Sequence, residues 1–386
     1  MRAVSPAEVG LDPERLARLT ATIDRDVAER KYDGASVLVA RRGLVALQAA
    51  VGFADRGAGR QARVDDVFHC FSITKTFTAA LVLSRIERGE LALTTRVADV
   101  IPEFGNRGKQ RITVLHLLTH TSGLPVTPPP LPPESLGDLA ATVAGICAQG
   151  VENRPGTAVY YSPLTAHAVL AEMVRRLDGT RSFRAILQDE ILGPLGLRDT
   201  CLGARADLAS RRVPIAMPDR REGLFPPEAL EGFNFFAYDG AEIPAAGLIS
   251  TTRDLGRFAE TLRRGGQLDG VRILGPTILQ LATTNQTGLK PNLLWNYARE
   301  MRGWDEFPAY IGLTFWLRGE GVFTAPFGTL ASPGTFGHLG AGTAMYWIDP
   351  ARELVFVCLT AGAMEESYSM ERFQRLSDLV HAAVVD

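Results

Sequence analysis

Segments with the pattern of β-strands occur at both ends of this chain, and the segments between them have the pattern of helices. Alternating and β-branched residues at 35–41 and 45–51 predict two strands, which the turn signal at 42–43 joins as a hairpin. These segments favour an α/β fold, in which an antiparallel sheet built from both termini is flanked by helices. The same pattern predicts further strands near the C-terminus, at 311–317, 336–339, 344–348 and 354–359.

The helical segments lie mostly in the middle of the chain, where apolar residues recur at i, i+3 and i+4. We therefore expect a discontinuous α/β lobe of residues 1–66 and 245–386, with an all-α insertion lobe of residues 67–244. A cleft between two lobes is the default place for an active site. The predicted helices are residues 12–30, 72–89, 113–119, 136–149, 164–177, 183–191, 252–264 and 369–385.

The motif with the clearest chemistry is a serine and a lysine three residues apart, Ser72 and Lys75, at the start of a helical segment. This spacing places both side chains on one face of a helix, within reach of each other. A serine hydroxyl needs a base before it becomes a good nucleophile, and a desolvated lysine can be that base. The alternative is a helix N-cap serine followed by a surface lysine.

Composition makes this match more specific. The 386 residues include 14 serines but only four lysines. Random placement of so few lysines would give about 0.15 Ser-x-x-Lys matches, whereas average lysine usage would make one match unremarkable. The single match in this chain opens its most convincing apolar helix.

Charge and composition argue against several functional classes. A net charge of −2 predicts no attraction to nucleic acid or to an anionic membrane. The four cysteines have neither the paired spacing of a zinc site nor a disulfide pattern, and we expect no cofactor. The N-terminus lacks a charged-then-apolar signal and no apolar run approaches 18 residues, which predicts a soluble, cytoplasmic protein.

Two further stretches could supply partners for Ser72. The stretch 155–163 precedes a predicted helix, and a tyrosine from it, Tyr160 or Tyr161, could act as a general base if neighbouring cations held it as phenolate, although a packed aromatic is the alternative. The second stretch, residues 336–343, is glycine-rich within a strand region. Glycines in strands often mark the close approach of a backbone or a ligand, and a strand edge here could offer an N–H to a developing oxyanion.

His116 and His120 have the i, i+4 spacing of a zinc-binding pair. The glutamate of a His-Glu-x-x-His site is absent, because Leu117 follows His116. We therefore expect a structural helix end here and no metal site.

Four stretches follow one another along the chain in a characteristic order and spacing. Residues 246–251 and 347–350 are two further matches to the same pattern. In their order the four stretches resemble the serine β-lactamase and penicillin-binding-protein superfamily, most closely class C β-lactamases and the β-lactamase-like family VIII esterases. The resemblance covers the chain from about residue 10 to the C-terminus. The four stretches are Ser72-Ile73-Thr74-Lys75, Leu117-Leu118-Thr119-His120-Thr121-Ser122-Gly123-Leu124, Tyr161-Ser162-Pro163 and His338-Leu339-Gly340.

The resemblance implies covalent acyl transfer. Ser72 would attack a carbonyl carbon, and Lys75 and Tyr161 would share the proton transfers. The backbone N–H groups of Ser72 and Ala341 would form the oxyanion hole. Whether the lysine or the tyrosine is the base stays open.

Two departures from the family's motifs bear on the substrate. The family's Tyr-x-Asn ends here in Pro163, which has no side-chain amide to hold an acylamide. The family's Lys-Thr-Gly begins here with His338, which replaces a permanent cation by a mostly neutral imidazole. Both changes weaken recognition of β-lactams and of peptidoglycan stems.

We therefore predict a serine esterase, or an acyltransferase of related mechanism, whose partner is a small ester or thioester. The alternatives are an amide or peptide hydrolase, including a weak β-lactamase, and a non-catalytic protein that kept the fold. Aromatic residues near the predicted site could line an apolar pocket, although each could equally be ordinary packing. The predicted substrate-binding residues are His338, Leu339, Gly340, Pro163, Phe236, Tyr238 and Trp316.

Overall fold

The computed structural model describes residues 1–132, 135, 137–236 and 238–386, without the side chain of Phe236. Its strands are β1 (Gly34–Arg41), β2 (Leu44–Asp55), β3 (Arg60–Gln61), β4 (Phe68–His69), β5 (Cys201–Leu202), β6 (Leu248–Ser250), β7 (Gln267–Leu268), β8 (Val271–Arg272), β9 (Trp316–Leu317), β10 (Phe336–Gly340), β11 (Ala344–Asp349) and β12 (Leu354–Ala361).

The main sheet is antiparallel and combines strands from both ends of the chain. Within the described residues it has seven strands in the order β3-β2-β1-β12-β11-β10-β9. The two halves join where β1 pairs with β12, in a register that places Gly34 opposite Ala361. The predicted fold class, an antiparallel sheet from both termini flanked by helices, is confirmed.

Helices flank this sheet and fill the middle of the chain. Position 136, where the sequence predicts the start of one helix, lies outside the described residues. The helices are α1 (Pro13–Ala28), α2 (Thr74–Glu87), α3 (Val97–Val100), α4 (Val114–Leu118), α5 (Leu139–Ala148), α6 (Thr165–Asp178), α7 (Phe183–Leu187), α8 (Pro227–Glu231), α9 (Phe233–Phe236), α10 (Thr252–Arg263), α11 (Pro276–Ala282), α12 (Asn296–Arg302) and α13 (Glu366–His381).

Strand β12 is buried along its whole length because helices cover both faces of the sheet. Phe356 and Cys358 belong to the apolar cluster that includes residues of α1 and α13. Val355 and Val357 belong to the cluster that includes residues of α10. Since successive strand residues point to opposite faces, α1 and α13 cover one face of the sheet and α10 covers the other.

The sequence prediction of a strand at 311–317 is wrong for most of that segment. The observed strand is only Trp316–Leu317. Tyr310 and Thr314 have φ angles of 45° and 78°, so the backbone turns there instead of extending. The Thr314 N–H donates to the carbonyl of Leu118 at 2.7 Å, a contact with a distant helix that a local pattern cannot reveal.

Helices α2 and α13 begin two and three residues away from their predicted starts. Helix α2 begins at Thr74, and Phe71–Ile73 forms a 3-10 turn before it. Helix α13 begins at Glu366 instead of 369, because the Glu365 carboxylate accepts the N–H groups of the first turn and caps the helix there.

No helix in the described part of the chain combines the length and apolarity needed to cross a membrane. The division into lobes at residues 66 and 245 stays a prediction.

Candidate active site

Ser72 lies in the 3-10 turn Phe71–Ile73, between β4 and α2. Phe71 has a φ of +43°, a left-handed conformation that is costly for a bulky residue and recurs at functional sites. Thr74 fixes the turn, because its Oγ1 donates to the Phe71 carbonyl at 2.6 Å and accepts the Leu248 N–H at 3.0 Å. The serine is thus held in a defined position against strand β6.

Lys75 is fully buried, and its Nζ lies 2.9 Å from Ser72 Oγ. The same nitrogen donates to the carbonyl of Pro163 at 2.7 Å and to that of Ala245 at 2.9 Å. Burial lowers the pKa of Lys75 well below its usual range, which favours the neutral amine. Because the two carbonyls take both N–H groups of a neutral amine, its lone pair is left for the proton of the Ser72 hydroxyl.

Tyr161 is buried beside both groups. Lys75 Nζ lies 5.0 Å from the centre of the tyrosine ring, and the Tyr161 hydroxyl interacts with Ser72. Burial raises the pKa of Tyr161, and this effect outweighs the opposing effect of Ser72. Burial therefore favours the neutral phenol over the phenolate of the sequence hypothesis, and a neutral phenol can donate or relay a proton.

His120 positions Tyr161. The centres of the two rings are 4.4 Å apart. The Tyr160 N–H donates to the His120 carbonyl at 2.9 Å, and the Ser162 N–H donates to His120 Nδ1 at 3.1 Å. Burial lowers the pKa of His120 well below its usual range, so Nδ1 stays an acceptor. Sequence reasoning missed this role, because the contact joins segments about 40 residues apart. The sequence marked His120 only as half of a possible zinc pair and as part of a family motif.

The expected oxyanion-hole residues, Ser72 and Ala341, come from different elements and line the same pocket. Strand β10 reaches the nucleophile turn through Gly340, where an added Cβ would overlap the carbonyl oxygen of Cys70. Only glycine allows this approach. The chain then turns at Ala341, whose φ is +21°.

Buried polar groups of α13 hold the turn that follows β10. The carbonyl of Gly342 accepts hydrogen bonds from Ser369 Oγ at 3.0 Å and from an Arg372 Nη at 3.3 Å. The other Nη of Arg372 donates to Thr360 Oγ1 at 3.0 Å. These contacts fix the backbone beside Ala341, where a developing negative charge would be bound.

A small pocket of about 50 Å³ adjoins Ser72. Its polar side chains include Ser72, Tyr161 and Glu366. A small, mostly apolar pocket of this kind suits a short acyl group. The apolar walls include Phe225, Leu294, Trp295, Trp316, Met370 and Phe373.

Sequence reasoning missed several of these walls. Phe225 belongs to an aperiodic segment and Phe373 to the C-terminal helix, so only long-range packing brings them to Ser72. Glu366 was missed for the same reason. No local pattern in the sequence marks any of the three.

Of the predicted substrate-binding residues, Leu339 and Trp316 line this pocket. Pro163 contributes its carbonyl to Lys75. Tyr238 packs beside Gly137 and is not among the lining residues. The side chain of Phe236 lies outside the described residues.

His338 is fully buried and acts as a neutral group. Its Nδ1–H donates to the Leu339 carbonyl at 2.7 Å, while Nε2 has no protein partner in the described part of the chain. Burial, together with Lys75, lowers the pKa of His338 to about 3. The ring centre lies 5.9 Å from that of Trp316 and 6.4 Å from that of Tyr161, so His338 packs around the site and supplies no cation to it.

Among the described residues, no group of three or more His, Cys, Asp or Glu side chains could hold a metal ion. His116 uses its Nδ1 to accept the Thr113 N–H at 3.1 Å and so caps α4.

Comparisons with known proteins identify the family of this chain. The β-lactamase family model matches residues 19–379. Penicillin-binding protein 4 of Amycolatopsis lactamdurans is 30% identical over 271 residues, which are 68% of this chain and 69% of the relative. Esterase EstB of Burkholderia gladioli is 43% identical over a shorter stretch of 127 residues, 32% of either chain.

Among solved structures, a penicillin-binding protein homologue from Caulobacter crescentus has a TM-score of 0.78 and 27% identity, and the match covers 97% of this chain and 99% of the homologue. Because the family model spans nearly the whole chain, this protein belongs to the β-lactamase family. The family lies within a superfamily of serine hydrolases that includes esterases.

Proposed function

We propose that this protein is a serine esterase that forms an acyl-enzyme at Ser72 and passes a short acyl group to water or to another small acceptor. The observation that carries the proposal is the arrangement at Lys75. Its Nζ lies 2.9 Å from Ser72 Oγ, and two backbone carbonyls take its N–H groups. This arrangement leaves a neutral amine with one lone pair, directed at the nucleophile's proton.

The residues of the site account for each proton transfer in the reaction. Lys75 takes the Ser72 proton as Oγ bonds to the ester carbonyl carbon, and the backbone N–H groups of Ser72 and Ala341 stabilise the oxyanion. The tetrahedral intermediate collapses and breaks the bond to the alkoxy group, which receives a proton from Lys75 through the Tyr161 hydroxyl. In the second half, water attacks the acyl-enzyme, its proton returns to Ser72 by the same groups, and the acid is released.

Three observations favour esters over β-lactams. His338 is neutral and gives a β-lactam carboxylate no cation. Pro163 offers no side-chain amide, and its carbonyl already accepts from Lys75. The pocket beside Ser72 is small and mostly apolar. The similarity to an esterase points the same way over the part of the chain that it covers.

The second candidate is hydrolysis of an amide or β-lactam by the same residues. The similarity to a penicillin-binding protein over two thirds of the chain favours it. The same acylating residues would serve both reactions, so only the substrate preference distinguishes the two candidate functions.

The test is the rate of hydrolysis of p-nitrophenyl acetate, butyrate and octanoate and of nitrocefin, in the wild type and in Ser72→Ala. We expect acetate and butyrate to be the best substrates, because the pocket measures only about 50 Å³. Removing the nucleophile should lower kcat by about 10⁴-fold or more. Ser84→Ala, in the helix that follows Ser72 and not among the residues that line the pocket, is the matched control. A preference for nitrocefin would favour the second candidate, and full activity of Ser72→Ala would reject both.

A further inference from the structure

Glu366 is a buried carboxyl group in the wall of the pocket that contains Ser72. Only 6% of the residue is exposed. One carboxyl oxygen, Oε2, accepts the Leu224 N–H at 3.3 Å, but Oε1 has no hydrogen-bond partner within the described residues. A buried polar atom without a partner is costly, so native structures seldom keep one without a reason.

The charged groups around Glu366 do not neutralise it. Arg302 pairs with Glu371 at 2.7 Å, and Arg221 pairs with Asp219 at 2.8 Å. Neither arginine has a described ion pair with Glu366. The buried guanidinium of Arg372, in the same helix, has no described ion pair either, and it donates to Thr360 Oγ1, Ser369 Oγ and the Gly342 carbonyl.

The preceding residue adds negative charge to this end of the pocket. Glu365 accepts hydrogen bonds from the Tyr297 hydroxyl at 2.8 Å and from the Ser367 N–H at 3.1 Å, and no described ion pair includes it. Burial and the charge of Glu365 raise the pKa of Glu366 to about 8. A bound cation would favour ionisation of Glu366, with release of its proton to solvent.

The remaining walls of the pocket suit a cation. Trp295, Trp316, Phe225 and Phe373 line it together with Glu366. Aromatic ring faces attract ammonium groups, and a carboxylate among them supplies the counter-charge. Ser72 and Glu366 line the same pocket of about 50 Å³, which suits a substrate whose ammonium group is only a few bonds from the ester carbonyl.

We propose that Glu366 binds an ammonium group on the acyl part of the substrate, so that the preferred substrates are esters of short amino acids with a free amino group. This inference rests on the proposed esterase function and gives it a substrate class. Glu366 would hold the ammonium group through Oε1, and the aromatic walls would exclude water from the pair.

The test compares ethyl esters that differ only in the group at one position. Ethyl alaninate, ethyl lactate and ethyl isobutyrate carry an ammonium, a hydroxyl and a methyl group on the same carbon. Ethyl β-alaninate, ethyl 3-hydroxypropanoate and ethyl butyrate repeat the series one bond further out. Each kcat/KM is divided by the rate constant of hydroxide-catalysed hydrolysis, because an ammonium group also activates the carbonyl.

In one of the two series we expect the wild type to favour the ammonium ester over the methyl ester by about tenfold or more. In Glu366→Gln that ratio should fall to within about twofold of unity. Glu371→Gln, on the exposed side of the same helix, should keep the wild-type ratio. An equal or greater wild-type rate for the methyl or hydroxyl ester in both series would overturn the inference, and so would an unchanged ratio in Glu366→Gln.

The same comparison can be made without turnover. Ser72→Ala cannot be acylated, and quenching of tryptophan fluorescence, with Trp295 and Trp316 in the pocket wall, reports binding of each ester. If the wild type hydrolyses none of the esters, the proposed function fails. Tighter binding of the ammonium ester would then still support the role of Glu366, and equal binding would reject it.

Discussion

The carbonyl oxygen of Cys70 occupies the space that a Cβ on Gly340 would need. This contact joins the strand that ends beside Ala341 to the turn that carries Ser72. The two backbone N–H groups assigned to the oxyanion hole belong to these two segments. Their separation therefore depends on a contact that only glycine permits.

Replacing Gly340 with alanine should separate the two segments and weaken the oxyanion hole. We expect Gly340→Ala to lower kcat for p-nitrophenyl butyrate by about tenfold to hundredfold, since a displacement near 1 Å can cost that much. Gly334→Ala is the control, because an added Cβ there meets nothing within 4 Å. Equal kcat values for the two variants would show that the contact does not set the oxyanion hole.

Lys75 and Tyr161 should behave as one unit. Lys75→Ala and Tyr161→Phe should each lower kcat by about 10³-fold or more, and the double variant should lose little beyond the worse single variant. The physical reason is that Tyr161 relays a proton that Lys75 has taken, so removal of either breaks the same path. The measurement is the single-turnover rate of the wild type, the two single variants and the double variant, which together form a double-mutant cycle. Losses that multiply in the double variant would mean that the two groups act independently.

Buried neutral histidines should make the fold less stable in acid. Burial lowers the pKa of His69 to about 3, and neither ring nitrogen has a hydrogen-bond partner in the described structure. In the unfolded chain a histidine titrates near 6.5, so between about pH 6.5 and 3 the unfolded state binds more protons than the folded state. The free energy of unfolding should therefore decrease as the pH is lowered across this range.

His69→Phe tests this effect, because the ring packs against Phe71 and Phe233 with centres 5.3 and 5.9 Å away. Below pH 6.5 the free energy of unfolding of the variant should change less steeply with pH than that of the wild type, by up to about 1.4 kcal/mol per pH unit. Urea unfolding at pH 8 and pH 5 gives the measurement, and pH 8, where histidine is neutral in both states, is the internal control. If the free energy of unfolding differs between pH 8 and pH 5 as much in the variant as in the wild type, His69 does not remain neutral in the folded protein.

The parts of the fold that could be predicted from the sequence are those that rest on local pattern. Residues 354–359 alternate between two apolar faces, and the hairpin signal at 42–43 lies between two such segments, so the sheet from both termini was predicted correctly. Ser72 and Lys75 could be found because they lie within one turn of each other. Tyr161 was named from a family motif, and its protonation state depends on burial that the sequence does not express.

The parts that could not be predicted depend on contacts between distant segments. Residues 311–317 have a strand pattern, but Thr314 bonds to the Leu118 carbonyl and the chain turns. Glu366 lies before the predicted helix 369–385 and no local pattern marks it, yet it accepts the Leu224 N–H and lines the pocket together with Phe225. The backbone N–H groups of Tyr160 and Ser162, on either side of Tyr161, both donate to His120, which is distant from them in sequence.

The central claim, an acyl-enzyme at Ser72, is tested most directly by the mass of the intact protein after reaction with p-nitrophenyl butyrate and an acid quench within milliseconds. We expect the mass to rise by one butyryl group and peptide mapping to place that group on Ser72. The adduct should disappear on longer incubation and should be absent from Ser72→Ala. A butyryl group on another residue, or steady hydrolysis by Ser72→Ala, would contradict the account.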